Sequence, residues 1–393
     1  VKKAIKYGLK FLGWLILGII VLLILAGLLI QTRPVKEKLA KVATNQAAKY
    51  LNGNISLGNI DGNFFTHLQL EDVLWEYQND TVAFIANLDW RYDLRPLLNS
   101  RLLVHSLSID QPFFHLEQLN DSTWSIARLI KPATNKTDSK PSGGNFKVDI
   151  KDVRLMEGRM DLDAADSIVP EQVRQLNTNF AFYWDRLHQA VEMHEFSLVA
   201  KKPDLTLTQL RFNVSRDTAI IDLNGFSLKT KQNQFNAEGT FQPPAQQAKV
   251  DLQSAPLQPA EFEFLLPDLK LPAHPELILD AQLEDDSLKA VLDLKEDQQQ
   301  IHLNFSAADF TGFLSNQKDV LLQYRLNGKL DNINLAHWTG LSNLDYLING
   351  NISVKGTGTK PQTAVVALSG EFNDCVIENR TIDKLIVDFN LDH

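Results

Sequence analysis

Most of this chain alternates apolar and polar residues. Val82, Phe84, Ala86, Leu88, Trp90 and Tyr92 form one long period-two run, and Leu103, His105, Leu107 and Ile109 form another. Such a period puts every second side chain on one face of an extended strand, so each run predicts a half-buried strand. The pattern resumes at Phe146, Val148 and Ile150 and continues through Phe180–Trp184, Phe235–Phe241, Leu277–Leu283, Leu288–Leu294, Ile301–Phe305, Val320–Leu326 and Leu385–Leu391. Two slips of phase interrupt it. One falls between Leu70 and Val73. The other, at Gln209, separates Leu205 and Leu207 from Leu210, Phe212 and Val214 and predicts a bulge. Turn residues recur about every ten positions, at Gln78–Asp80, Asn224-Gly225, Gln242-Pro243-Pro244, Asp285-Asp286, Asp297-Gln298 and Asn327-Gly328. This rhythm predicts a mainly β protein with an antiparallel sheet of roughly twenty strands.

Two segments near the start follow other rules. Phe11 to Ile30 has no charge, Asn, Gln or Pro. Its length of about twenty residues matches the hydrocarbon layer of a bilayer, so a transmembrane helix is expected. Lys2, Lys3, Lys6 and Lys10 precede it, and no A-x-A site follows, which favours an uncleaved anchor over a signal peptide. Basic residues flank both ends, so charge gives no strong vote on orientation. The first ten residues are assigned to the cytoplasm and the bulk to the periplasm. Pro34 to Leu51 then carries Val35, Leu39, Val42, Ala43, Ala47 and Tyr50 at helical spacing among lysines. That predicts an amphipathic helix, lying on the membrane surface or capping the first sheet.

The organisation expected is an anchor over 1–33, an amphipathic helix over 34–52, a first β region over 53–131, a linker over 132–145 and a second β region over 146–393. The linker, PATNKTDSKPSGGN, has no apolar residue larger than Ala. Short helical inserts are expected at Leu94–Leu98, Pro259–Leu269 and Asn334–Leu344. The last two share a leucine pair and hint at a repeat of some seventy to eighty residues. The sequence stops straight after a strand, and a fragment of a longer chain is the expectation.

Composition narrows the chemistry. A formal net charge of −9 argues against a nucleic-acid surface. The single cysteine, Cys375, rules out an internal disulfide. The nine histidines form no H-E-x-x-H or Cys/His cluster. Asp161, Asp163 and Asp166 lack the spacing of a calcium loop, Gly356-Thr357-Gly358-Thr359 lacks the P-loop lysine, and no G-x-S-x-G elbow occurs. The chain is expected to be no enzyme, with neither cofactor nor metal. Alternation of this kind fits two architectures equally: a sandwich with its apolar face sealed, or an open sheet whose apolar face is available.

Particular segments bear on that choice. After the anchor and basic helix come Leu51–Gly62 (LNGNISLGNIDG), His67–Val73 (HLQLEDV), Ser106–Pro112 (SLSIDQP) and Leu347–Gly358 (LINGNISVKGTG). Together they resemble the TamB-type, inner-membrane members of the AsmA-like family, and the likeness covers most of the chain. The resemblance implies a single-pass inner-membrane protein with a taco-like β-sheet curled into an open groove in the periplasm, along which phospholipids travel toward the outer membrane. It also implies an outer-membrane barrel of the TamA/BamA type as partner, met through a region this sequence does not contain. The alternative expectation is a scaffold for outer-membrane protein insertion or autotransporter secretion. Candidate lipid-lining residues are Val82, Phe84, Leu88, Leu292, Leu294, Leu303, Phe305, Leu322, Leu326, Val387 and Phe389.

Overall fold

The structure, a computed structural model, describes residues 38, 42, 44–45, 48–119, 123–131, 146–166, 168–265, 271–314, 321–358, 364–378 and 380–391. The expected anchor over 1–33 and linker over 132–145 lie outside them. Among the described residues no helix is long and apolar enough to cross a membrane. Of the expected amphipathic helix, positions 38, 42, 44–45 and 48–50 are helical. Val42 and Tyr50, from its apolar stripe, are 55% and 70% exposed.

The protein is mainly β, with nineteen strands in a long, predominantly antiparallel sheet. It divides into two compact units, Val1–Asp185 and Arg186–His393. The division falls after the 132–145 stretch because the strand following that stretch pairs with strands preceding it.

The first unit holds β1 (Asn54–Gly62), β2 (His67–Tyr77), β3 (Asp80–Asp93), β4 (Arg101–Asp110), β5 (Phe113–Glu117), β6 (Lys147–Asp163) and β7 (Gln172–Trp184). β1 to β4 pair antiparallel in succession. Gln78 and Asn79 turn β2 into β3 with φ of 54° and 72°, the paired left-handed residues of a type I′ hairpin. The expected helical turn appears at Arg95–Asn99. β6, by contrast, runs parallel to both β4 and β5, a departure from the wholly antiparallel expectation. Parallel neighbours need a crossover, and here it runs through the helix Ile126–Leu129 and the stretch beyond it. Leu129 of that helix is 1% exposed, and its carbonyl accepts from the Asn52 amide at 2.7 Å.

The second unit is a meander in which β8 (Gln189–Lys201), β9 (Leu205–Arg216), β10 (Ile221–Thr230), β11 (Gln234–Gln242), β12 (Gln247–Ser254) and β13 (Glu276–Glu284) pair antiparallel in sequence. β14 (Ser287–Glu296), β15 (Gln299–Ala308), β16 (Gln323–Asn334), β17 (Leu347–Thr357), β18 (Val365–Ile377) and β19 (Arg380–Leu391) continue it. The slip predicted at Gln209 is a bulge at its neighbour. Gln209 pairs with Lys229 and Leu207 with Thr230, which leaves Thr208 over, and its hydroxyl donates to the Lys229 and Thr230 carbonyls.

Two expected turns are not turns. Gly225 takes a φ of 60° at a bulge inside β10, and Asn327-Gly328 sits in the middle of β16, paired with Ser353 and Ile352. The Asn-Gly signal reports only local backbone preference. At Gly328 the glycine answers a tertiary need, because an added Cβ would lie 2.7 Å from Ile352 and 2.9 Å from Leu303.

Candidate functional site

Directly paired residues in an antiparallel ladder share a face, so register alone sorts the second unit's side chains. One row runs Leu279, Leu292, Leu303, Gly328, Ile352, Gly370 and Val387 across β13 to β19. The neighbouring row on the same face is Ala281, Ala290, Phe305, Leu326, Val354, Leu368 and Phe389. Six candidate lining residues, from Leu292 to Phe389, therefore fall on two adjacent apolar rows. Toward β8 the same face continues through Val250, Leu223, Val214 and Val191. The opposite face is polar, with Asn304, Asn327, Ser353, Ser369 and Asp388 in one row.

Burial distinguishes a sealed face from an open one. A second sheet packed on these rows would take them out of water. Leu292, Leu303, Phe305, Leu326, Ile352 and Val354 are instead half-buried, and Phe389 is 54% exposed. Neighbours on the same sheet pack against one another on this face. Tyr324 lies over Gly356 and the Phe372 ring over Gly370, each filling the gap a glycine leaves.

Cover is concentrated at one rim. In a meander the connections alternate between the two ends of the strands. Both predicted inserts, β12 to β13 and β16 to β17, emerge at the same end. Helix Leu335–Thr339 follows Asn334, whose side chain accepts from the His337 amide at 3.0 Å as an N-cap, and Gly340 at φ 74° ends it. Its Trp338 donates to Gln299 Oε1 at 3.0 Å and packs with Ala273 and Ile333, and Leu294, Ile301 and Leu330 lie against that cluster. Leu294 is thus under a plug at this rim. The Pro259–Phe262 turn is latched there by Glu261, which accepts from the Thr230 hydroxyl and from Asn233 Nδ2. Phe262 meets Phe235 at 6.1 Å between ring centroids.

At the other rim lies a helix unforeseen in the sequence, Phe310–Leu314. Asp286 caps it by accepting from the Thr311 amide at 2.6 Å and from its hydroxyl, and these bonds hold the carboxyl below its usual range. Leu322 precedes β16 at this rim. It is buried at 7% exposure, and its carbonyl accepts from Gly358 N at 2.9 Å, so it is a packed residue rather than an open lining one.

In the first unit the three candidates, Val82, Phe84 and Leu88, share one face of β3, and each is half-buried. Leu88 joins Leu70, Ile60 and Ile109 in one row. Phe84 pairs with Leu74 and Phe113, whereas Ala83 pairs with Trp75 and Phe114 and is 8% exposed. Ala83 is on the other face of β3, and Ile60, in the Leu88 row, is likewise 8% exposed, so both faces have buried residues here.

On the polar face of β15 to β19, an open depression of about 450 Å³ is lined by His302, Asn304, Asn327, Lys329, Glu371 and Asp388, among others. His302 Nδ1 lies 2.7 Å from Asp293, and Asn304 Nδ2 lies 2.9 Å from His302 Nε2. This geometry assigns the proton to Nδ1. Burial opposes ionisation of Asp293, but hydrogen bonds from His302 and Gln300 outweigh it and hold the carboxyl below its usual range. His115, Glu117 and Asp163 form another cluster, brought together by the parallel β5–β6 pairing, with His115 Nε2 3.3 Å from Asp163 and 3.7 Å from Glu117. These three could hold a cation, and each is exposed or half-exposed.

Compared with protein-family models, with curated proteins and with solved structures, the chain has no match.

Proposed function

We propose that the protein is an inner-membrane-anchored carrier whose apolar sheet face conducts the acyl chains of phospholipids across the periplasm toward the outer membrane. The observation that carries this reading is the unbroken pair of apolar rows from β13 to β19, left half-open to solvent. The apolar stretch Phe11–Ile30 and the resemblance to TamB-type members of the AsmA-like family support it. Acyl chains gain ~0.8 kcal/mol per methylene on leaving water, so carrying a sixteen-carbon chain bare would cost on the order of 12 kcal/mol. An apolar face lowers that barrier with no catalytic group. A groove curled around the tails would lower it further.

Photoreactive residues at Leu303 and Leu326, with controls at Asn304 and Asn327 on the reverse face, test the proposal by mass spectrometry of the adducts. Phospholipid is expected on the first pair and not on the second. Equal labelling of both faces, or no lipid on either, would overturn it.

A second reading, a scaffold for outer-membrane protein assembly, is favoured by β19. Its described pairing is with β18 alone, and Ile386 and Phe389 are 60% and 54% exposed. Such an edge can template another strand. That reading expects defects in barrel insertion with lipid traffic intact.

A further inference from the structure

Near the second rim the polar face carries Lys289, Ser306, Arg325 and Lys355 in one cross-strand row over β14 to β17. Arg325 and Lys355 are directly paired, and like charges directly opposite are destabilising. The acidic counterpart on this face is treated differently. Asp251 and Asp280 are also directly paired, but Lys249 bridges them, 3.0 Å from the first and 3.8 Å from the second. No described carboxylate makes an ion pair with Lys289, Arg325 or Lys355, in a chain whose net charge is −9. All three are exposed, and they line one open depression of about 560 Å³ together with Ser306, Gln323 and Thr357.

We propose that this row is a binding site for a phosphate-bearing anion, seated on Arg325 and Lys355 and reached by Lys289. The guanidinium offers a planar fork of donors that matches two phosphoryl oxygens, the ammonium groups add point charges, and Ser306 and Thr357 supply neutral hydroxyls. Strands are ~4.8 Å apart, so side chains from three of them converge on one phosphoryl group or a closely spaced pair. The anion supplies the counter-charge that Lys249 supplies to the acidic pair. The site lies on the reverse of the apolar rows and does not depend on what those rows carry.

Thermal unfolding of the full 393-residue chain in a non-ionic detergent, with inorganic phosphate exchanged for chloride at constant ionic strength, tests this. The wild-type midpoint should rise by several degrees at millimolar phosphate. In the Arg325→Gln/Lys355→Gln double variant that rise should vanish, while the midpoint without phosphate stays equal or increases, because the like-charge pair is gone. Lys329→Gln, which removes a lysine bound to Asp331 at 2.8 Å, should keep the full response. Should the double variant not fold, ³¹P line broadening by the wild type against Lys355→Gln gives the same answer. No wild-type response beyond chloride, or an undiminished one in the variants, overturns the proposal. Flotation with vesicles of phosphatidylcholine, with and without phosphatidylglycerol, separates the sources. Charge-dependent binding that phosphate competes away identifies a lipid headgroup. A response to phosphate without vesicle binding identifies a free phosphate or phosphate ester. Crosslinking at Leu303 is expected to be unchanged in every variant, so failure here leaves the acyl-chain reading standing.

Discussion

The two units use the same period-two alternation to different ends. In Val1–Asp185 the crossover sets β6 beside β4 and β5, and Val104, Val153, Val173, Leu176 and Leu129 are buried. It also buries a charge. Asp149, 2% exposed, is held by Arg101 and by Lys151 at 2.9 Å. In Arg186–His393 every described connection is between sequential neighbours, and most of the apolar face stays half-open, with a plug at one rim. Alternation creates an apolar face; connectivity and inserts determine whether anything covers it.

Substitutions can break this comparison. The largest contrast should come from equal truncations. Leu129→Ala leaves a cavity in a closed environment and is expected to cost about 2–5 kcal/mol, whereas Leu326→Ala on the half-open face should cost about 1 kcal/mol. Denaturant unfolding of both variants measures this, and equal losses would mean that the second face is closed after all. Asp149→Ala should cost about 1–3 kcal/mol, because it removes the charged acceptor to which Arg101 and Lys151 donate.

The effect of pH on Asp149 is smaller and has a definite sign. Burial raises its pKa, but hydrogen bonds from Lys151 and Arg101 prevail and hold it below the usual carboxylate range. Its contribution is therefore complete above the unfolded value of ~4 and is lost as pH falls through the lower folded value. The gap in thermal midpoint between wild type and Asp149→Asn should accordingly shrink below about pH 4. A gap that persists undiminished to pH 2 would contradict the assignment.

The finest test uses glycines. A Cβ on Gly350 would lie 2.5 Å from the Glu371 carbonyl oxygen, which cannot yield, while at Gly328 it meets only side-chain atoms, Ile352 Cγ1 and Cδ1 and Leu303 Cδ2, which can shift. Gly350→Ala should therefore cost about 2 kcal/mol and Gly328→Ala less than about 1 kcal/mol, by chemical denaturation. A larger loss at Gly328 would show those side chains to be confined.

The strands were legible because alternation is local. Leu277–Leu283 and Leu288–Leu294 needed only their own residues to be read, and the Thr208 bulge showed itself as a slip of phase one residue away. That Leu292, Leu303, Phe305, Leu326, Val387 and Phe389 share one apolar face was legible for the same reason. The burial of Leu322 and the packing of half-buried Leu294 beside Trp338 have no local signal, because the Gly358 backbone and Trp338 reach them from distant segments. The row of Lys289, Arg325 and Lys355 had no sequence signal, since 66 residues separate its ends and only register aligns them.

The sequence alone determined that this chain would be extended, meandering and apolar on alternate side chains, because those properties depend on neighbours two and three residues apart. The tertiary structure decided where the sheet runs parallel, which stretch of apolar face has a plug and which cations stand together. Each of these depends on pairing between segments tens of residues apart. There the gain from burial is weighed against the entropy of closing the chain, and no local pattern records that balance.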